Sequence, residues 1–274
     1  MSVRVRLARV LLRLGAFVQS LAVVVMKPDD LVEFSRQTYA KPQDVEAWAE
    51  DALVDSGLSD DERDLLAAVP ATTGNLLLLG VGGGREAIPL ARMGFRVTGV
   101  DYVAAMVDRA MENAARRGVR IEGLVQDISQ LDVRAGAYDV VWLSRSMYSC
   151  VPTRARRVGM VRRIARALKP GGLFLCQFHW RAVPRPAGRG ELVRRVVAAC
   201  TLSNLAYEAG DTLWYNIEFV HEFSSEDAIR LEIEEGGLSV LCIQTDPTHI
   251  RGSAVCRKSL ETDENALSPL ERVG

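Results

Sequence analysis

Between Asn75 and Asp101 the chain reads NLLLLGVGGGREAIPLARMGFRVTGVD. Glycines stand at Gly80, Gly82, Gly83 and Gly84, and an acid stands at Asp101, 21 positions after Gly80. Residues without a Cβ let the backbone turn tightly and approach a ligand closely. A carboxylate about 20 residues further on, at the end of the next strand, is placed to accept hydrogen bonds from both hydroxyls of a ribose. The chemistry that these residues and this spacing specify is the seating of a nucleoside-containing cofactor. The glycines alone leave the cofactor open, because the run GGGREA from Gly82 also fits the dinucleotide pattern G-x-G-x-x-A.

Positioning those groups needs strands that end together. Leu76–Leu79 is a continuous apolar run and reads as a buried strand. A helix follows at Arg85–Met93 and stops at Gly94 as a left-handed cap. Pro89 lies within it and is expected to remove the bond to the Arg85 carbonyl and bend the helix. The alternation continues through strand Arg96–Val100, helix Ala104–Arg117, and strands Arg120–Val125 and Asp139–Leu143. An arginine-rich helix at Thr153–Leu168 ends at Lys169-Pro-Gly-Gly172, and a fifth strand covers Leu173–Phe178. Such alternation predicts a parallel, doubly wound α/β sheet. Beyond it the pattern gives a loop over Trp180–Gly190, an inserted helix at Glu191–Leu205 and a strand-like run at Asp211–Phe219. A helix at Ser224–Glu235 and closing strands at Leu238–Gln244 and Ser253–Arg257 complete it.

Three regions result: an N-terminal helical segment over 1–58, the main domain over 59–258 and a flexible tail over 259–274. Ser59-Asp-Asp-Glu62 is a capping box that starts a helix running to Ala68. Asp29 or Asp30 is expected to cap a short helix reaching Phe34. Residues 3–26 are apolar with Arg4, Arg6, Arg9 and Arg13 near their start. The uninterrupted apolar part is shorter than a spanning helix, so an amphipathic helix is expected. Its apolar face would pack on the protein's own body, or lie on a membrane or a protein partner.

With 34 basic and 35 acidic residues the net charge is −1, and no nucleic-acid partner is expected. The arginines of residues 153–168 read as a solvated face, because Val158, Val161, Ile164 and Leu168 supply a buried stripe. Five dispersed cysteines show no metal-binding spacing, so no metal is expected. Cys176 and Cys242 read as core thiols. The dispersed set fits a reducing compartment, so a cytoplasmic location is expected, with membrane association through residues 3–26 as its variant.

These features together resemble a class I S-adenosylmethionine-dependent methyltransferase. LLLLGVGGG is similar to that family's first motif and Asp101 to its second-strand acid. Gln126-Asp127-Ile128 resembles the adenine-contacting segment, Tyr138-Asp139-Val-Val-Trp-Leu-Ser144 the fourth-strand motif, and Leu168-Lys-Pro-Gly-Gly172 the turn before strand five. The resemblance spans Leu76–Phe178, with a weaker echo at His221-Glu-Phe-Ser-Ser-Glu-Asp. It implies a doubly wound, mostly parallel, seven-stranded Rossmann-like sheet with N-terminal helices and a helical insertion after strand five.

It also implies methyl transfer from S-adenosyl-L-methionine to a small-molecule acceptor. Gly80, Gly82 and Gly84 would pass beneath the methionyl part, and Asp101 would take the ribose diol. Tyr102 would pack on the adenine face, Asp127 would accept from its amino group, and Ile128 would lie beside the ring. Ser144 would face the crevice at the carboxyl edge of strand four. Methyl transfer is an in-line displacement, so a base is needed only when the acceptor must lose a proton. His179, just after strand five, is the candidate general base. Tyr39, Arg145 and Tyr148 are candidates for the acceptor pocket, with Tyr39 and Trp48 forming a lid. One position departs from the family: the acid two places before the first glycine is Leu78 here. That departure motivates the alternative of a degenerate methyltransferase-like binding or assembly subunit. A nicotinamide-dependent oxidoreductase is the third reading, and the motif order through Gly172 counts against it.

Overall fold

Leu76, Leu77, Leu78 and Leu79 are all fully buried, Leu76 and Leu78 in one apolar cluster and Leu77 and Leu79 in another. A strand apolar on both faces is stable only at the centre of a sheet covered on both sides. The computed structural model, which describes residues 2–70, 73–183, 189–246 and 250–260, has that arrangement. Five helices come first: α1 (Val3–Val25), α2 (Pro28–Tyr39), α3 (Pro42–Ala49), α4 (Asp51–Asp55) and α5 (Asp60–Leu66). Then follow β1 (Gly74–Leu79), α6 (Ala87–Met93), β2 (Phe95–Asp101), α7 (Ala104–Arg116), β3 (Glu122–Val125), β4 (Tyr138–Leu143), α8 (Arg154–Ala167) and β5 (Leu168–His179). The last part holds α9 (Arg189–Thr201), β6 (Asp211–Trp214), β7 (Glu218–His221), α10 (Glu226–Glu235), β8 (Ser239–Thr245) and β9 (Arg251–Arg257).

Seven strands form one sheet in the order β3-β2-β1-β4-β5-β9-β8. The pairs from β3 to β5 are parallel, and β9 is antiparallel to both β5 and β8. Residues of α5, α6 and α7 cover one face, and residues of α8 and α10 cover the other. The order steps outward from β1 in both directions. The crevice at the carboxyl ends of β1 and β4 is therefore the topological switch point where open sheets bind ligands.

Several expectations change in the structure. Helix α6 begins at Ala87, not Arg85, so Pro89 sits in its first turn. The flanking Ile88 and Leu90 amides donate to the Gly84 and Glu86 carbonyls, so Pro89 omits the one bond to Arg85 as expected, but in a first turn it requires no bend. Helix α2 runs to Tyr39 with Pro28 at its first position, and Asp30 accepts from the Lys27 amide at 2.9 Å. The run 211–219 is two strands, β6 and β7, because Tyr215 and Asn216 adopt left-handed φ values of 48° and 58° and reverse the chain. Cys242 is exposed: it lies on edge strand β8, where a register shift between Val240 and Cys242 breaks the in-out alternation. Residues 261–274 of the expected tail lie outside the described residues. The capping box stands as expected, with Ser59 and Glu62 exchanging bonds.

Helix α8 is not wholly a solvated face. Arg157 is completely buried, its Nε donating to Glu232 at 2.9 Å and its Nη2 to Glu232 and Glu208 at 2.8 Å each. Breaking a buried pair of this kind typically costs about 3–5 kcal/mol, because it strands a charge in the interior. The network thereby ties α8 to α10 and to the segment before β6.

Candidate functional site

The turn after β1 is pinned to the end of β2. The Gly80 and Val81 amides both donate to the Val100 carbonyl, at 2.8 and 2.9 Å. The Gly82 amide donates to Asp101 Oδ2 at 3.1 Å, and the Val103 amide donates to Oδ1 at 3.0 Å. Asp101 is buried, which pushes its carboxyl pKa up, while the bonds from Val103 and Gly82 hold the charged form. Asp101 thus fastens the glycine turn to the start of α7 and keeps unused lone pairs for a ligand. Two glycines are required here for different reasons. A Cβ at Gly82 (φ 50°) would meet nothing within 4 Å, so its backbone borders open space. A Cβ at Gly83 would come within 2.2 Å of the Trp48 carbonyl oxygen, so the end of α3 rests directly on the turn.

Above that turn lies a cavity of about 350 Å³, within the range of small-molecule sites. Gly80, Gly82, Asp101, Tyr102, Asp127, Ile128, Ser144, Tyr39, Arg145 and His179 all line it, so these expected site residues come together in one place. Gly84 and Tyr148 do not. A Cβ on Gly84 would make only an ordinary 3.4 Å contact with Ala110 of α7, so its φ of 98°, not close packing, asks for glycine. Tyr148 is drawn into the core by a 3₁₀ turn at Met147–Cys150, where its hydroxyl donates to Glu232 at 3.1 Å.

Trp48, expected beside Tyr39, also lines the cavity, whereas Trp214, Glu218 and Arg251 are found there only in three dimensions. Trp48 meets Tyr39 edge to face, with ring centroids 6.2 Å apart, and Arg145 lies 5.7 Å over the Trp48 ring. The β6–β7 hairpin brings Trp214, whose ring packs edge-on against His179 at 4.2 Å. Glu218 of β7 accepts a hydrogen bond from the Tyr39 hydroxyl, and burial raises its pKa. Nothing in the sequence around Glu218 or Arg251 marks either as facing a cavity, because the β6–β7 and β8–β9 turns decide it.

The polar groups differ in their satisfaction. Asp127 accepts from the Ser129 amide at 2.7 Å and so caps a short turn as well as facing the cavity. Ser144 donates to buried Glu86 at 2.6 Å, and Glu86 is also paired with Arg85. Leu78 is fully buried in an apolar cluster, and Glu86 lies behind the cavity wall, bonded to the Ser144 hydroxyl. The His179 pKa is lowered to about 4, chiefly by burial and then by Arg251, so the ring is neutral near pH 7. Ser146 Oγ, Arg145 Nε and Arg251 Nε are buried without a hydrogen-bond partner among the described residues.

The residues present fit a nucleoside cofactor. An acid stands where a ribose diol would need it, and the glycine backbone borders open space. The aromatic faces of Tyr102 and Trp48 flank the cavity.

A family model described as a methyltransferase domain matches residues 76–172. The ubiquinone biosynthesis O-methyltransferase of Paramagnetospirillum magneticum is 41% identical over 100 residues, which cover 36% of this chain and 38% of that protein. The chain therefore spans under half the length of the curated relatives it matches first. A solved S-adenosylmethionine-dependent methyltransferase from Methanosarcina mazei superposes with a TM-score of 0.56 at 20% identity, over 75% of this chain and all of that one. The cyclase SpnF superposes with a TM-score of 0.59 at 15% identity, over 86% of this chain and 97% of that one. These two structures share the fold.

Proposed function

We propose, for a chain that carries a class I S-adenosylmethionine-dependent methyltransferase domain, that it methylates an oxygen of a small-molecule acceptor held in the cavity above the Gly80–Gly82 turn. The observation that carries this reading is the convergence of Gly82, Asp101, Tyr102, Asp127 and His179 on one cavity at the switch point of the sheet. The curated relatives are named O-methyltransferases, which supports oxygen as the acceptor atom.

In this reading Asp101 takes the ribose hydroxyls, and Asp127 and Ile128 hold the adenine edge and face. Tyr102 packs on the ring, and Ser144 sits at the crevice edge beside the methionyl end. Bound there, the cofactor supplies a methyl group on a sulfonium, which is open to in-line displacement. The chain's part is chiefly alignment and exclusion of water, which can supply much of the rate. His179, neutral near pH 7, accepts the hydrogen bond of the acceptor hydroxyl. Because its pKa is low, it polarises that oxygen before displacement and takes the proton as the displacement proceeds.

The test uses S-adenosylmethionine labelled in its methyl group, offered with hydroxylated aromatic acceptors and read by mass spectrometry. Labelled methyl ether and S-adenosylhomocysteine should form together, and His179→Ala should slow turnover roughly 100-fold. No cofactor binding by the folded protein, with a fixed partner co-purifying, would instead favour the binding-subunit reading, which the apolar Leu78 motivates.

The reading extends to location. Val3, Leu7, Val10, Leu11, Leu14 and Val18 of α1 are exposed, with Arg4, Arg6, Arg9 and Arg13 among them. This apolar and basic helix suits a peripheral seat on an anionic membrane surface.

A further inference from the structure

The two buried arginines among the described residues are matched by acids. Arg85 is paired with Glu62 and Glu86, and Arg157 with Glu232 and Glu208. Two arginines at the cavity break the rule. Arg145 follows β4, and Arg251 opens β9. Neither makes a hydrogen bond or ion pair among the described residues, and the Nε of each is buried. Burial lowers the Arg145 pKa first. Repulsion from Arg85 and, more weakly, from Arg251 acts in the same sense, against attraction from Glu86 and Glu62. Glu86 is already bound to Arg85 and Ser144.

The cavity acids hold donors of their own, and none of them bonds either arginine. Asp101 holds the Gly82 and Val103 amides, Asp127 holds the Ser129 amide, and Glu218 is tied to Tyr39 and Cys150. Unpaired charge in a partly desolvated cavity is costly, so two half-buried guanidinium groups facing one cavity imply an anion that completes them. Arg145 also has a φ of 41°, an uncommon backbone state for a residue with a side chain, of the kind that clusters at ligand sites.

The cofactor's own carboxylate does not account for both. Arg251 pairs in register with His179 at the end of β5, and β4 and β5 stand between it and the glycine turn after β1. Three strand spacings separate β1 from β9, about 14 Å. Arg251 therefore stands on the acceptor side, beside the His179 ring. Trp214, which packs on that ring, and Ser146, whose buried Oγ lacks a partner among the described residues, line the same cavity.

We infer that the acceptor is an organic carboxylate with an aromatic or apolar body, its charge held by Arg251 and Arg145 and its body lying against Trp214 and Trp48. This rests on the methyltransferase reading for the word acceptor, but the anion site stands on its own geometry. The probe is benzoate, compared with its neutral isostere benzamide, each titrated into the full-length protein and followed by tryptophan fluorescence and calorimetry. S-adenosylhomocysteine is titrated separately into the same proteins.

Benzoate should bind at least about tenfold more tightly than benzamide, and Arg251→Gln and Arg145→Gln should each erase most of that preference. Arg251→Gln should leave S-adenosylhomocysteine affinity unchanged. Equal binding of the two probes, binding of neither, or a preference that survives both substitutions would overturn the proposal. A large loss of S-adenosylhomocysteine affinity in Arg251→Gln would also overturn it, by assigning that arginine to the cofactor. Benzoate preference without any S-adenosylhomocysteine binding would instead sink the methyltransferase reading and leave the anion site standing.

Discussion

His179 shows what the setting of a single side chain does to its chemistry. Its ring packs against Trp214, and its amide donates to Ser149 Oγ at 2.8 Å, so both the ring and its backbone are fixed. The ordinary value of 6.5 falls to about 4, mainly through burial. Between those values the unfolded chain binds a proton that the folded chain refuses, so this residue makes stability fall as pH drops from 6.5 toward 4. The full loss from this group is roughly 3 kcal/mol, and it is absent above pH 6.5. Urea unfolding of wild type and His179→Gln across that window should show wild type losing more, by about that amount. Glu86, Asp101 and Glu218, whose pKa values are raised, act in the opposite sense but are common to both proteins and cancel in the difference. A difference that does not change with pH would show that His179 titrates normally. At this scale the sequence was informative where a residue lies at a strand's end. Asp101, Ser144 and His179 all reach the cavity because strand ends share one edge. Tyr148 misled because one 3₁₀ turn decides which way it faces, and Arg251 was silent because its place depends on an antiparallel strand pairing distant in sequence.

Among the elements, the first helix makes the most specific prediction. Helix α1 is long and apolar enough to cross a membrane by length and composition. Its C-terminal part is nevertheless committed to the protein. Val23 and Val24 are buried in a cluster with Leu31 and Phe219, the Val23 carbonyl accepts from Asn204 at 3.1 Å, and Arg194 of α9 lies 5.8 Å over Phe17. Spanning would tear those contacts away, so the seat proposed above is interfacial. Exposed Leu192, Val193 and Val196 of α9 extend the same apolar surface. The protein should float with vesicles rich in anionic phosphatidylserine and not with neutral ones, and Leu7→Asp with Leu11→Asp should abolish flotation. Equal recovery in the bottom fraction with and without anionic vesicles would refute the membrane role. Helix α1 was legible from its periodicity, whereas the β6–β7 hairpin was not. Its reversal uses Tyr215 and Asn216 rather than glycine, so no strong turn signal interrupts the strand-like pattern.

For the whole molecule, sheet order does most of the functional positioning. The alternation of apolar runs was enough to read a parallel doubly wound sheet, because strands covered on both faces leave little else for those residues to do. The order that places the crevice over β1 and β4 emerges only in the structure, because periodicity marks strands without naming their neighbours. Chemistry is less constrained: the same fold carries a methyltransferase and a cyclase among the solved neighbours. What separates those outcomes here is whether the glycine turn and Asp101 hold the cofactor. The structure adds that Asp101 also binds two backbone amides, so its removal should cost some stability, and each variant's unfolding must be measured beside its binding. The direct measurement is calorimetric titration of S-adenosylhomocysteine into wild type and Asp101→Ala, both kept below their unfolding temperatures. Micromolar binding to wild type, lost in the folded variant, is the predicted result. No binding to wild type, or undiminished binding to Asp101→Ala, would contradict the assignment of this cavity to the cofactor.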